Sequence, residues 1–416
     1  MPPSKAIPQF LYRNAVAASI VAGLAALLVS LVLYGIMPRR PAPVTYSMLR
    51  VKPQDMPRFA DDLDPGSLVA ALSRSRDYFS RQPPDRRFSF GPDAYTAADL
   101  LETTDLLSGF FSSRPSQEEI DEFIRKNFLV YRASGAGPNR SMLVTGYYEP
   151  RLAGSLTRSE GFCHPLYGQP DDVVTADLGL FLPQYKGRTI AGRLEGNKLV
   201  PLPTREEIET SQVYAGRGLE LLWVSDPVDA FFLQIQGSGQ VMLEDGTVLH
   251  VHYAGENGRP YRSVGGLLLR EGKIPREEMS MQAIRKYLAE HPEDRDRVLN
   301  HNESYVFFQM EAEGPLGCLE VPLTPGRSIA LDRKVFPLGA PAFLQSKKPA
   351  DGATEGSPAD WKNFSRFTCA QDTGGAITGS GRVDLFWGSG PEAEYAAGHM
   401  QEPGTLYFLV RRPPAR

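Results

Sequence analysis

The chain has 416 residues, 42% of them hydrophobic, which is ample for a sizeable core and for two or three domains. A net charge of −4, with no strong basic stripe, gives no electrostatic case for nucleic acid as a partner. The 39 glycines and 35 prolines point to a turn-rich, strand-rich body and away from a helical bundle.

Residues 15–37 carry no charge. At about 1.5 Å per residue they reach across a bilayer core of about 30 Å with some tilt. A signal peptide with Lys5 and Arg13 as its basic region is the competing reading. Against it, the apolar run is too long, and Met37-Pro38-Arg39-Arg40-Pro41 offers no small-residue cleavage site. An uncleaved anchor is expected, with a stiff Pro-rich linker at 37–49 leading away from it. Basic residues flank both ends of the run, so charge does not decide its orientation.

Helical patterns follow at 68–81, 97–111 and 117–128, the last opened by Ser116 with Glu118 and Glu119 in its first turn. At 142–150, MLVTGYYEP, a strand runs into a turn. From there to about residue 275 the chain reads as short β segments, with helical pattern limited to 204–210; the most apolar piece, 219–236, falls in this stretch. Glu244-Asp245-Gly246-Thr247 reads as a hairpin turn, and a helix is expected at 281–290 after Ser280. β signals then return: 327–330 alternates, 335–339 turns and 342–344 resumes. Residues 346–360 read as a polar exposed loop, and 405–410 as a closing strand. Many short strands at even spacing argue for a barrel or a sandwich. Cys163, Cys318 and Cys369 match no zinc spacing; the odd count allows at most one internal disulfide, and buried free thiols are the expected state.

The chemistry concentrates in 371–388, QDTGGAITGSGRVDLFWG. Asp372 begins a glycine-rich turn and Asp384 lies on a short strand beside apolar and aromatic residues. A carboxyl held in such surroundings has its pKa raised, as a general acid requires. Paired carboxyls of this kind suit glycoside cleavage; the bland alternative is an Asx turn plus a surface aspartate. Asp372-Thr373-Gly374 is also the aspartic-protease tripeptide, but it occurs once and follows polar Gln371. His250 and His252 alternate on a strand without a third ligand at fixed spacing, so no metal site and no cofactor are expected. No nucleophile elbow, phosphate-binding loop or dinucleotide fingerprint is present. Gly146-Tyr147-Tyr148 and the run Gln234 to Gly239 supply the aromatic faces, amides and hydroxyls that bind sugars.

TGYYEP, SDPVDAFFLQIQGSG, GENGRPYRSVGG, MSMQAIRKYL and the terminal QDTGGAITGSGRVDLFWG with PEAEYAAGHM resemble the membrane-bound lytic murein transglycosylase A family, in family order from about residue 140 to the C-terminus. The C-terminal part also resembles the three-aspartate domain, with Arg327, Ile329, Ala330, Asp332 and Pro337-Leu338-Gly339 at its start. The resemblance implies a mainly β fold with accessory helices. A double-psi β-barrel (45–147 plus 314–416) would carry a second inserted β-barrel (148–313), after an anchor and linker (1–44), with the glycan groove between the barrels. It implies cleavage of the β-1,4 bond between N-acetylmuramic acid and N-acetylglucosamine without water, leaving 1,6-anhydromuramoyl ends. Asp384 would be the catalytic acid and base. Asp372, Thr145, Gly146, Tyr147, Gln236, Ser238, Gly375 and Ala376 would contact the sugars. Rival readings are a catalytically silent peptidoglycan-binding scaffold and a hydrolytic muramidase with Asp372 as base. Many family members carry an acylated N-terminal cysteine; none is present here, so the 15–37 helix would replace it. That implies the inner membrane with a periplasmic body, glycan strands as partner, and a place in a cell-wall synthesis or hydrolysis complex. In that compartment Cys318 and Cys369 would be open to oxidation.

Overall fold

The computed structural model describes residues 46–136, 140–312, 314–354 and 360–413, and the expected anchor at 15–37 lies outside them. Among the described residues no helix is long and apolar enough to cross a membrane.

Six strands close into a ring in the order Met142–Glu149, Arg382–Ser389, Ser328–Ala330, Trp361–Asp372, Pro341–Pro349 and Gln401–Arg411, which returns to Met142–Glu149. Two neighbouring pairs run parallel, Met142–Glu149 with Arg382–Ser389 and Ser328–Ala330 with Trp361–Asp372. Parallel neighbours cannot be joined by a tight hairpin, so the chain crosses over between them. This is the expected double-psi barrel. Closure depends on Gln401–Arg411, whose first residues pair with Met142–Glu149 and whose later ones pair with Pro341–Pro349. Gly404 sits at the changeover, where a Cβ would lie 2.7 Å from the Gln345 carbonyl oxygen and closer still to Val144. Phe128–Ala133 pairs with the far half of the same strand, and Met48–Arg50 with Phe128–Ala133.

The barrel strands are buried on both faces, as the runs in Ser328–Ala330 and Arg382–Ser389 show. Ile329, Ala342, Leu344, Val383, Leu385, Leu406 and Phe408 belong to one buried cluster. Outside it, Pro65–Ser80 and Ala97–Ser112 pack together. The first starts on an Asp64 cap with Pro65 in its first turn and buries Leu68, Ala71, Leu72, Ser75 and Phe79, one face at helical spacing. Gln371 locks this helix to the barrel, its amide donating to the Ala71 carbonyl at 2.7 Å and the Ser75 hydroxyl at 3.0 Å. The polar residue ahead of Asp372 is thus a buried structural strut.

The intervening sequence forms a second sheet, ordered Val306–Glu311, Val248–Glu256, Ser238–Met242, Arg151–Ser155, Glu220–Val224, His164–Tyr167. A bridge from Gly168 to Phe308 brings its two edges together. A three-stranded antiparallel arm, Val173–Asp177, Thr189–Glu195 and Lys198–Pro201, projects from it.

The helices at Ala97–Ser112, Gln117–Asn127 and Met281–Glu290 and the 244–247 turn follow the sequence expectation. Two regions differ. The apolar 219–236 stretch splits at Ser225: Glu220–Val224 is a strand, but Pro227–Gln236 is a helix capped by Asp226 and stopped by left-handed Gly237. The expected loop at 346–360 begins later, because Pro341–Pro349 continues as strand against Trp361–Asp372. Unbroken pairing out to Pro349 with Trp361, and burial of Ser346 and Pro349, hold 346–349 in the sheet despite their polarity. All three cysteines are free thiols, Cys369 buried in the barrel and Cys318 exposed.

Candidate active site

The two aspartates meet at the end of the short strand Ser328–Ala330. Ala330 pairs with Asp372 on one side and Asp384 on the other, so a twelve-residue separation in the chain collapses to one strand's width. Asp384 in turn stands in register with Thr145 of the parallel neighbour. Because side chains alternate along a strand, Thr145 and Tyr147 share a face. The Thr145 hydroxyl donates to Asp384 Oδ1, and the Tyr147 hydroxyl donates to Asp372 Oδ2 at 3.0 Å. Gly146 faces the other way. A Cβ there would lie 2.7 Å from the Trp387 indole and 2.9 Å from Ala397, so close packing demands glycine.

Asp372 is fully engaged. Its Oδ1 accepts from the Cys318 amide at 3.0 Å and from the Thr373 amide at 2.9 Å, while Tyr147 occupies Oδ2. Burial raises its pKa to about 6, although those three hydrogen bonds favour the ionised form; the charge of Asp384 adds to the rise. Burial beside the two aspartates likewise pushes the Tyr147 phenol well above its usual value, so it stays a donor.

Asp384 is 6% exposed. Arg382 grips it from the same strand face, Nε donating to Oδ1 at 2.7 Å and Nη2 to Oδ2 at 2.8 Å. Burial works against the arginine's charge, but the Asp384 carboxylate outweighs it and holds Arg382 more firmly cationic than a free arginine. Tyr261, on the loop after Val248–Glu256, lies within electrostatic reach of Arg382, and Arg333 within reach of both Cys318 and Tyr253. The second sheet thereby contributes Tyr253 and Tyr261 to the surroundings of the aspartates.

The glycine-rich turn is pinned from below. Asp332, the third aspartate of the C-terminal part, accepts from the Gly379 amide at 2.6 Å, and Gly379 has φ of +76°. Gly375 and Ala376 lie exposed in this turn. Gln236, at the end of Pro227–Gln236, accepts from the Tyr148 amide at 3.1 Å, and Ser238 follows it on the strand paired with Val248–Glu256. The structure therefore joins Asp384, Thr145, Tyr147 and Asp372 in one cluster, sets Gly375 and Ala376 on the turn beside it, and uses Gln236 as a strut between the sheets. Sequence reasoning missed Arg382, Arg333, Tyr261 and the Cys318 amide. Arg382 was findable, since a residue two before an aspartate on a strand shares its face. The others come from distant segments and left no local signal.

A closed double-psi barrel carrying two hydrogen-bonded aspartates, beside a second barrel, defines a class of fold to which solved lytic transglycosylases belong. Residues 143–309 match the MltA specific insert domain and residues 327–410 the 3D domain. The chain is 31% identical to the membrane-bound lytic murein transglycosylase A of Vibrio cholerae, over 71% of this chain and 75% of that one. It is 32% identical to that of Escherichia coli K12, over 69% and 70%. A membrane-bound lytic murein transglycosylase from Agrobacterium tumefaciens superposes with a TM-score of 0.73 at 32% identity, covering 88% of this chain and 98% of that one. MltA from Neisseria gonorrhoeae gives 0.64 at 27%, covering 91% and 97%. E. coli MltA with bound chitohexaose shares the fold, at 0.66 and 24%. The chain belongs to the membrane-bound lytic murein transglycosylase A family, and it is a lytic transglycosylase.

Proposed function

We propose that this enzyme cleaves the β-1,4 bond between N-acetylmuramic acid and N-acetylglucosamine in peptidoglycan without water, using Asp384 alone as acid and then base. Asp384 gives its proton to the glycosidic oxygen as the C1–O bond breaks and N-acetylglucosamine leaves with that oxygen. The C6 hydroxyl of the muramic acid then bonds to C1, and its proton returns to Asp384. The product is a 1,6-anhydromuramoyl end. One carboxyl suffices because the nucleophile belongs to the substrate, and charge developing at C1 is met by oxygens of the groove.

The observation that carries this reading is the state of Asp372. Two backbone amides and a tyrosine hydroxyl hold its oxygens in place, which fits a structural and sugar-contacting carboxyl better than one that turns to activate water. A hydrolytic enzyme ordinarily needs that second group. The raised pKa of Asp372 is the one feature favouring the hydrolytic alternative, and product mass separates the two. In this reading Asp372, Thr145, Gly146, Tyr147, Gln236, Ser238, Gly375 and Ala376 line the sugar path. The division into 45–147 plus 314–416 and 148–313 forms the groove walls. The 15–37 run anchors the body on the periplasmic side of the inner membrane, within reach of cell-wall synthesis or hydrolysis complexes.

The test is mass spectrometry of muropeptides released from purified sacculi by the detergent-solubilised full chain. Products lighter than reducing muropeptides by one water are expected. Asp384→Asn lowers their release by about three orders of magnitude, the scale of lost general acid–base catalysis. Reducing ends would assign hydrolysis with a working Asp372. Binding without release by the wild-type chain would assign a scaffold.

A further inference from the structure

Arg382 poses a mechanistic problem whose solution names a further determinant of the reaction. An acid must enter the cycle protonated. Yet Asp384 is met by three donors, Nε and Nη2 of Arg382 and the Thr145 hydroxyl. A two-pronged guanidinium grip on both oxygens is the recognition mode of an ionised carboxylate. The resting geometry is thus that of the base. For Asp384 to carry a proton on either oxygen, the arginine must release that oxygen.

The surroundings give the guanidinium somewhere to go. The Arg382 side chain is 33% exposed, so packing does not enclose it on every side. Arg333 lies within electrostatic reach of Cys318, whose amide meets Asp372, and of Tyr253. A protein of net charge −4 therefore presents one arginine latched on Asp384 and a second within reach of the Cys318 that meets Asp372. That is a site for an anion, and a neutral sugar has none to offer. Peptidoglycan does: a muramic acid without a stem peptide has a free lactyl carboxylate, and a stem peptide carries carboxylates of its own.

We propose that Arg382 is a substrate-operated latch: a carboxylate on the bound glycan, held also by Arg333, draws the guanidinium off Asp384 and frees that carboxyl to take up its proton. The inference rests on the Asp384 reading given above. Arg382 is a positioning residue in this scheme, acting through Asp384. The latch couples the acid's release to the charge of the substrate, so neutral β-1,4 glycans bind without arming the enzyme. When product leaves, Arg382 closes again and the proton returns to water.

The experiment compares two forms of one glycan preparation, native strands and strands whose carboxylates have been amidated with ethanolamine. Full-chain wild type, Arg382→Gln and Arg382→Lys are assayed on both, with kcat and KM resolved and thermal melting used to confirm folding. Wild type is expected to lose about tenfold or more in kcat on amidated strands, the scale of one charge-assisted pair. Arg382→Gln responds to the two substrates alike, and Arg382→Lys restores part of the discrimination. Equal native-to-amidated ratios in wild type and Arg382→Gln would overturn the latch. Should Arg382→Gln not fold, a wild-type kcat unchanged by amidation would overturn it alone. Anhydro products from native strands must be seen in every case; their absence would instead overturn the Asp384 reaction.

Discussion

At the scale of single residues, the two aspartates divide the work because their neighbours differ. Asp372 is surrounded by donors that cannot leave, namely two backbone amides and a buried phenol, whereas Asp384 is met by side chains that can rotate away. The site therefore joins a fixed carboxyl to an adjustable one. The fixed one strains the fold. Its pKa of about 6 lies above the ordinary carboxyl value of 3.8, so the folded state favours the protonated form. Stability from this group is fully present below the unfolded value and is lost as pH rises through about 6. An asparagine in its place would keep an oxygen for both amides, and Tyr147 can turn to accept from the new NH2. Asp372→Asn is accordingly expected to stabilise the protein by about 1–3 kcal/mol at pH 7 and by little near pH 4. Urea midpoints at the two pH values check this; a variant equally or less stable at pH 7 would contradict it.

At the scale of elements, local sequence signals led to the right helices where one face was apolar and the ends were capped, as at Ser116 with Glu119. They failed where both faces are buried. Pro227–Gln236 buries Val228, Ala230, Phe231, Phe232 and Leu233, and such a run carries no period to separate helix from strand. Its caps, Asp226-Pro227 and Gly237, were the better evidence. The Asp384 strand was legible because glycines bracket it, and Arg382 and Thr373 are local partners, but Thr145, Cys318 and Tyr147 come from distant segments that only the barrel brings in. The short helix Arg205–Glu209 shows the same dependence on distant groups. Arg205, 1% exposed, donates to the carbonyls of Asn302 and Ser304 and to Gln234, and stacks on Phe231 and Tyr305. Arg205→Met keeps the bulk but strands those acceptors and Glu209, and is expected to cost about 3–5 kcal/mol, the scale of breaking a buried pair. Chemical denaturation measures it; a loss below about 1 kcal/mol would show that the pocket repacks.

At the scale of the whole molecule, the barrel and the second sheet are joined by the passage from Glu149 to Arg151 and by the return from Glu311 to Ser328. Helix Pro391–His399 ties them further. Glu394 accepts from the Tyr148 hydroxyl at 3.2 Å, and its carbonyl from Gln282 at 3.1 Å. The strand Gln401–Arg411 that follows seals the ring against Met142–Glu149. A chain ending at residue 400 is expected to release no muropeptides from sacculi even where the second sheet folds, because the barrel stays open.

Thr145 and Asp384 are 239 positions apart in the chain, and the strand that seals their barrel, Gln401–Arg411, follows both. A nascent copy emerging residue by residue therefore cannot seat Asp384 against Thr145 in a closed ring until residue 411 has emerged. The second sheet and its arm, complete by Glu311, take shape earlier and engage nothing they can cut. Such long-range closure is slow for any chain, and for an enzyme whose substrate is the cell's own wall the delay is a safeguard: an unfinished molecule is harmless.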